Sequence, residues 1–276
     1  MTRTSTFVPS GVISLTTDFG HKGPFIGTMK GQILSRFHDA KIVDLTHECS
    51  VHWPDEAGFW ISRAYQYFPA GSVHLAVVDP GVGTGRDIIA LVHDGHVFLA
   101  PDNGLLAPLA ATDSACTAFR LDAGVHARFG ITTVSATFHG RDVFAPLAAE
   151  LASGRRRPDE LGPPALDLVP SLLEEPQISA GRINGVVVTA DNFGNLISNV
   201  DGSLVSRLEN PVVTVAGHKI PFARTYGAVQ PGDYLALINS FGVLEIARAE
   251  QSAAAGLGLE RGAPFVVEDV SKRTDA

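Results

Sequence analysis

Residues 11–37 read GVISLTTDFGHKGPFIGTMKGQILSRF. Positions 12–17 form an apolar, β-branched run that breaks into a polar turn at Asp18 and Gly20, the pattern of a strand and its end. Phe25, Met29, Ile33 and Phe37 then recur every four residues, which lines them up along one face of a helix. The same grammar repeats downstream. KIVDLTHE (41–48) reads as a strand, PDEAGFWISRAYQYF (54–68) as a helix with Phe59, Ala64 and Phe68 on one stripe, and SVHLAVVDP (72–80) as the next strand. Strands alternating with helices predict an α/β fold with a mostly parallel sheet. DIIALVHDG (87–95) and HVFLAPDNG (96–104) are close enough to pair as a hairpin, so the sheet is expected to be mixed. RDVFAPLAAELASG (141–154) closes this half with a helix.

Between 155 and 180 charge mixes with five prolines and few periodic positions, which places a domain boundary there. Beyond it, INGVVVTADNFGNLISNV (183–200), NPVVTVAGHKIPFART (210–225), DYLALINSFGVLEIARA (233–249) and PFVVED (264–269) are short strands bounded by Gly, Asn and Pro. They predict a small all-β unit, sheet or barrel. The expected organisation is an N-terminal α/β domain at 1–160, a linker at 161–180 and a C-terminal β domain at 181–276.

With 276 residues, 45% hydrophobic and 18% charged, the chain has the composition of a globular protein able to bury a substantial core. Its formal charge is −8 and its longest basic block is the RRR at 155–157. A nucleic-acid surface is therefore not expected, and RRR reads as a solvated linker. Cys49 and Cys116 have no metal-type spacing and read as small core residues of a reducing compartment. No apolar run approaches the roughly 20 residues of a membrane span, so a soluble cytoplasmic protein with no membrane partner is expected.

Several loops carry candidate chemistry. Asp18 falls just past the carboxyl end of the first strand, where open α/β sheets bind ligands and a carboxylate takes ribose hydroxyls; it equally suits a turn or helix cap. VDPGVGTGR (78–86) lacks the GK[ST] of a phosphate loop and the GxGxxG spacing of a dinucleotide fold. It is either a Pro-initiated turn or a loop in which Asp79 and Arg86 orient a small reactant. In TFHGRD (137–142), His139 sits at a loop-to-helix junction, structural or functional. HECSVH (47–52) spaces its histidines unlike HExxH, and solvated loop histidines are the reading. DNFGN (191–195) reads as a hairpin turn whose polar groups around Phe193 also suit a purine. NSFGVLE (239–245) has the same double reading.

TTDFG (16–20), VDPGVGTGR, APDNGLL (100–106), TFHGRD, DNFGN and NSFGVLEIAR (239–248), in this order, resemble the S-adenosyl-L-methionine hydroxide adenosyltransferases, relatives of fluorinating and chlorinating enzymes. The resemblance runs from about residue 11 to 268. It implies a Rossmann-like three-layer N-terminal domain, a C-terminal β-barrel and a homotrimer with sites between subunits. It also implies attack of water on C5′ of S-adenosyl-L-methionine, giving adenosine and L-methionine with no metal or other cofactor.

Matched position by position, Asp79, Arg86 and His139 would be the water-activating trio and Asp18 would hold the ribose. Trp53 would wall the reacting centre, Asp191 meet the methionine ammonium, Asn195 the adenine edge, Tyr226 an adenine face and Ser240 the methionine carboxylate. Glu245 and Arg248 would contact the nucleoside. The halogenating branch is expected to carry Tyr in place of Asp79 and to lack the Arg and His. The fluorinating relatives also have Arg where this chain has Phe241. The trio thus resembles the hydrolase branch, with a halide adenosyltransferase or a non-catalytic sensor as alternatives.

Overall fold

The structure, a computed structural model, describes residues 7–112 and 116–270. It divides between Leu172 and Leu173 into two compact units.

The first unit is built on β1 (Val12–Thr17), β2 (Lys41–Thr46), β3 (Val73–Val77), β4 (Ile88–His93), β5 (His96–Pro101), β6 (Thr117–Arg120) and β7 (Pro164–Ala165). Their order in the sheet is β2-β1-β3-β5-β4-β6-β7. β2, β1, β3 and β5 are mutually parallel, and the 87–104 hairpin makes β4 antiparallel to β5. β6 and β7 continue the sheet antiparallel. The expected mixed, mostly parallel sheet is what forms, and β7, within the segment read as linker, lies on its edge.

Alternation along the strands sends side chains into two cores. Ile13, Leu15, Val73, Leu75, Val77, Val97 and Leu99 meet Met29 and Ile33 of α1 (Phe25–Arg36) on one face, together with Phe144, Leu147 and Leu151. Ala76, Val78, Ile89, Leu91, Phe98 and Ala100 meet Ala57 and Ile61 of α2 (Pro54–Ala64) and Leu109 of α3 (Ala107–Thr112) on the other. The first core is completed by α4 (Val125–Arg128), which supplies Val125, and α5 (Ala145–Ala152). Burial of β1, β3, β4 and β5 on both faces explains why their sequences read as near-continuous apolar runs, whereas the edge strand β2 stays partly exposed. Each fully buried Leu, Ile or Phe is worth roughly 1.5–3 kcal/mol.

Three expectations need correction. Only Met29 and Ile33 of the α1 stripe are buried, because Phe25 opens the helix half exposed and Phe37 lies past its last turn. Phe68 lies beyond both α2 and the short turn Tyr65–Tyr67 that follows it. The RRR block is solvated, as expected, but it is not a free linker: Arg155 pairs with Glu150, Arg156 with Glu160 and Arg157 with Asp159. Arg155 and Arg156 also donate to the carbonyls of Arg36 and Arg128, so the block fastens loops of the first unit.

The second unit contains β8 (Gln177–Ser179), β9 (Arg182–Ala190), β10 (Leu196–Asp201), β11 (Pro211–Val215), β12 (His218–Pro221), β13 (Tyr234–Ile238), β14 (Val243–Arg248) and β15 (Pro264–Asp269). They form an antiparallel sheet in the order β12-β11-β15-β9-β10-β14-β13, with β8 on β9. A bridge from Phe222 to Ala236 brings the end of β12 to β13 and nearly closes it. Leu196, Val213, Leu244, Ile246, Phe265 and Val267 fill the inside, beside α6 (Gly202–Val205) and α7 (Ala253–Leu257).

Beneath the β4–β5 turn, Ser14 Oγ lies 2.7 Å from His74 Nδ1, His74 Nε2 lies 3.1 Å from His96 Nδ1, and Tyr65 Oη lies 3.2 Å from His93 Nε2. Burial pushes His74 down to about 3 and also lowers His96. The unfolded chain takes up these protons near pH 6.5 and the folded one only at lower pH. Stability is therefore full above about pH 6.5 and is lost below it, by up to about 1.4 kcal/mol per pH unit for each such histidine. Replacing His74→Phe is expected to shrink the loss of urea stability between about pH 7.5 and about pH 5.5; an unchanged loss would remove His74 from the account.

Candidate active site

Asp79 leaves the sheet two residues after β3, where Asn103 Nδ2 donates to Val78 O at 2.9 Å and holds the strand end. The loop that follows is a true turn: Val82 N–H donates to Asp79 O, and Thr84 donates to Gly81 O through both its N–H and its hydroxyl. Gly83 has φ +76°, and a Cβ there would stand 2.1 Å from Ala136 O. The glycine thus serves a close approach of backbone to backbone, bringing this loop against the segment that leads to His139.

The loop returns Arg86 onto Asp79. Its Nε donates to Asp79 Oδ1 at 3.1 Å and Oδ2 at 3.0 Å, and its Nη2 to Oδ2 at 2.5 Å. The two side chains are only 11% and 4% exposed. At this burial a paired, hydrogen-bonded carboxylate and guanidinium hold each other with little competition from water. Nη2 also reaches His139 Nδ1 at 2.9 Å, and the ring of Phe144 lies 5.5 Å from the guanidinium carbon.

His139 immediately precedes a π-turn, Gly140–Phe144, in which Ala145 N–H bonds to Gly140 O. The wide turn leads into α5, and such turns are frequent at functional sites. Burial, then the Arg86 charge, lowers the pKa of His139, so the ring is neutral at pH 7. A guanidinium only donates. His139 Nδ1 is therefore the acceptor, and the ring proton resides on Nε2. Beside the trio lies a cavity of about 180 Å³, lined by Asp79 and His139 and by Phe19, Phe25, Val82 and Phe138.

Asp18 follows β1 directly, and its Oδ2 accepts from His52 N–H at 2.9 Å. His52 holds φ +62° there, and Trp53 next to it starts α2, half buried. The reading of both loop histidines as solvated fails for His47, which is 1% exposed, 2.9 Å from Thr17 Oγ1 and 3.1 Å from Asp44 Oδ1. Cys49 is buried too, and burial raises its thiol to about 12, so it is inert. Glu56, unremarked in the sequence, accepts from Ser50 N–H at 2.7 Å and ties this loop to α2. Among the described residues no group of three or more His, Cys, Asp or Glu is placed to hold a metal.

In the second unit the DNFGN turn joins β9 to β10, as a hairpin. Asp191 Oδ1 accepts from Phe193 and Asn195 N–H, each at 2.9 Å, and Oδ2 from Asn195 Nδ2 at 3.0 Å. Phe193 is 76% exposed. Tyr226 Oη donates to Glu245 Oε1 at 2.7 Å; burial foremost raises the pKa of both groups. Ser240 is exposed in the turn between Asn239 and Gly242. Arg248 does not join Glu245. It is three residues on along β14, where its Nε donates to Gly232 O and its guanidinium lies 5.0 Å from the Tyr234 ring.

The family model described as the SAM hydroxide adenosyltransferase N-terminal domain matches residues 13–162, and that of the C-terminal domain residues 185–266. A Thermus thermophilus protein named (R)-S-adenosyl-L-methionine hydrolase is 37% identical over 255 residues, 90% of this chain and 96% of that protein. A protein of Actinoplanes sp. named fluorinase is more distant, 24% identical over 93% of this chain and 97% of its own. The crystal structure of an uncharacterized conserved protein from Thermotoga maritima superposes with a TM-score of 0.86 at 31% identity, covering 92% of this chain and 99% of that one.

Adding a Cβ at Gly83 meets both a positive φ and the Ala136 carbonyl, whereas Gly85 has open space around it. Gly83→Ala is expected to lose at least about 1–3 kcal/mol in urea unfolding, and Gly85→Ala to stay close to the parent. Equal stabilities would refute the clasp between the two loops.

Proposed function

Because the chain belongs to the SAM hydroxide adenosyltransferase family, we infer that it hydrolyses S-adenosyl-L-methionine to adenosine and L-methionine. Water attacks C5′ in line with the departing sulfur. The observation that carries the mechanism is the contact of Arg86 with both Asp79 and His139 beside one apolar cavity.

The sulfonium leaves as a neutral thioether, so the leaving group needs no acid. Water is the weak partner: it must be positioned, stripped of bulk solvent and relieved of a proton as the C–O bond forms. The Asp79 carboxylate is the acceptor for that proton. Neutral His139 donates from Nε2 to the oxygen and aims its lone pair. Arg86 does not touch the proton; it fixes the carboxylate and selects the histidine tautomer. A halide has no proton to give and is repelled by Asp79, which supports hydrolysis over halogenation.

Asp18 is assigned to the ribose hydroxyls and Trp53 to the wall of the reacting centre. Asp191 is assigned to the methionine ammonium, Asn195 to the adenine edge, Tyr226 with Glu245 to the nucleoside and Ser240 to the methionine carboxylate. Arg248, whose Nε donates to Gly232 O, is assigned with Glu245 to the nucleoside. A homotrimer with the site completed between subunits is the assembly proposed.

Three results are expected. In ¹⁸O-water the label enters the adenosine 5′-hydroxyl, and label absent from adenosine would end the mechanism. Asp79→Ala lowers kcat by about 10²–10⁴-fold while nucleoside binding, read by calorimetry, is largely kept; undiminished turnover would remove Asp79. Since the pKa of His139 is lowered, activity that needs the neutral ring is retained down to at least about pH 6.5 and falls only below it. A loss already complete at about pH 7 would contradict the neutral donor.

A further inference from the structure

The cavity is larger than its water requires. Its volume is about 180 Å³, against about 30 Å³ per water molecule in the liquid, so beside the C5′ of the substrate it has room for an acceptor of a few heavy atoms. Its walls are apolar. Phe138 meets Phe19 at 5.9 Å and Phe25 at 5.4 Å between ring centroids, both edge to face, and Val77 and Val82 complete them. Polar side chains in the lining are confined to Asp79, Thr137 and His139. Asp18, assigned above to the ribose hydroxyls, is not among its lining residues. The space therefore pairs a hydroxyl site with a hydrocarbon site.

We propose that the enzyme also transfers the adenosyl group to short primary alcohols, with the hydroxyl at Asp79 and His139 and the alkyl group against Phe19, Phe25 and Phe138. This rests on the hydrolase reading and extends it to a second class of acceptor. The alcohol oxygen forms the bond to C5′ as the C5′–S bond breaks, and that electron pair leaves with the neutral methionine thioether. The hydroxyl proton passes to the Asp79 carboxylate and then to solvent. The products are a 5′-O-alkyladenosine and methionine. Anionic acceptors are disfavoured by the Asp79 charge, and bulky alcohols by the rings.

The test is incubation of the full chain with S-adenosyl-L-methionine and molar methanol, with both nucleosides quantified by mass spectrometry. The expected result is 5′-O-methyladenosine beside adenosine, in a ratio that rises in proportion to methanol and falls from methanol to 1-propanol. Both products should disappear together in Asp79→Asn. Phe25→Ala should shift the ether ratio toward 1-propanol. Adenosine formed alone at an undiminished rate across the methanol series overturns the proposal, as does ether formed equally by Asp79→Asn. No adenosine in the alcohol-free reaction is a different result, which overturns the hydrolase reading beneath it.

Discussion

The grip of Arg86 on Asp79 is the contact on which the site depends. A carboxylate 4% exposed is costly to bury alone, and removing one partner of such a pair typically costs about 3–5 kcal/mol. Arg86 meets that cost with two nitrogens and spends a further contact on His139 Nδ1. One permanently charged donor thus settles two protonation questions: the carboxylate is held as an acceptor, and the imidazole is left with its proton on the far nitrogen. The chemistry asks for such an asymmetric pair, one group to take a proton and one to give a hydrogen bond to the same oxygen.

The fold supplies the rigidity this requires. β3 is buried on both faces, with Leu75 and Val77 in one core and Ala76 and Val78 in the other. Its carboxyl end, from which Asp79 follows, is held between the two cores. Asn103 at the end of β5 ties down the same strand end. From the opposite direction, α5 delivers His139 through a π-turn whose Gly140 fits against Met29 and Phe138. Gly83 then lets the two loops meet backbone to backbone.

Much of this was legible in the sequence, for identifiable reasons. Strand and helix periods along 11–104 are strong because β1, β3, β4 and β5 are buried on both faces, and Asp-Gly at 94–95 marks the hairpin. Asp79 and Arg86 could be named as flanking one glycine loop, but not which residue their glycine faces: Ala136 is distant in the chain. The burial of His47 is hidden from the local sequence for the same reason. Its neighbours Glu48 and Ser50 suggest a loop, while its partner Thr17 comes from another strand. The RRR block shows the limit of charge runs, since nothing local in 155–157 announces the carbonyls of Arg36 and Arg128 as acceptors. In the second unit the DNFGN hairpin was plain, but the use of Asp191 inside its own turn depends on backbone geometry that composition does not carry.

The division of labour within the trio is read directly by nitrogen NMR of the imidazole. With ¹⁵N-labelled histidine and a His139→Gln variant for assignment, His139 at about pH 7 is expected as a neutral ring protonated on Nε2, with Nδ1 shifted as a hydrogen-bond acceptor. A ring protonated on Nδ1, or an imidazolium at that pH, would contradict it.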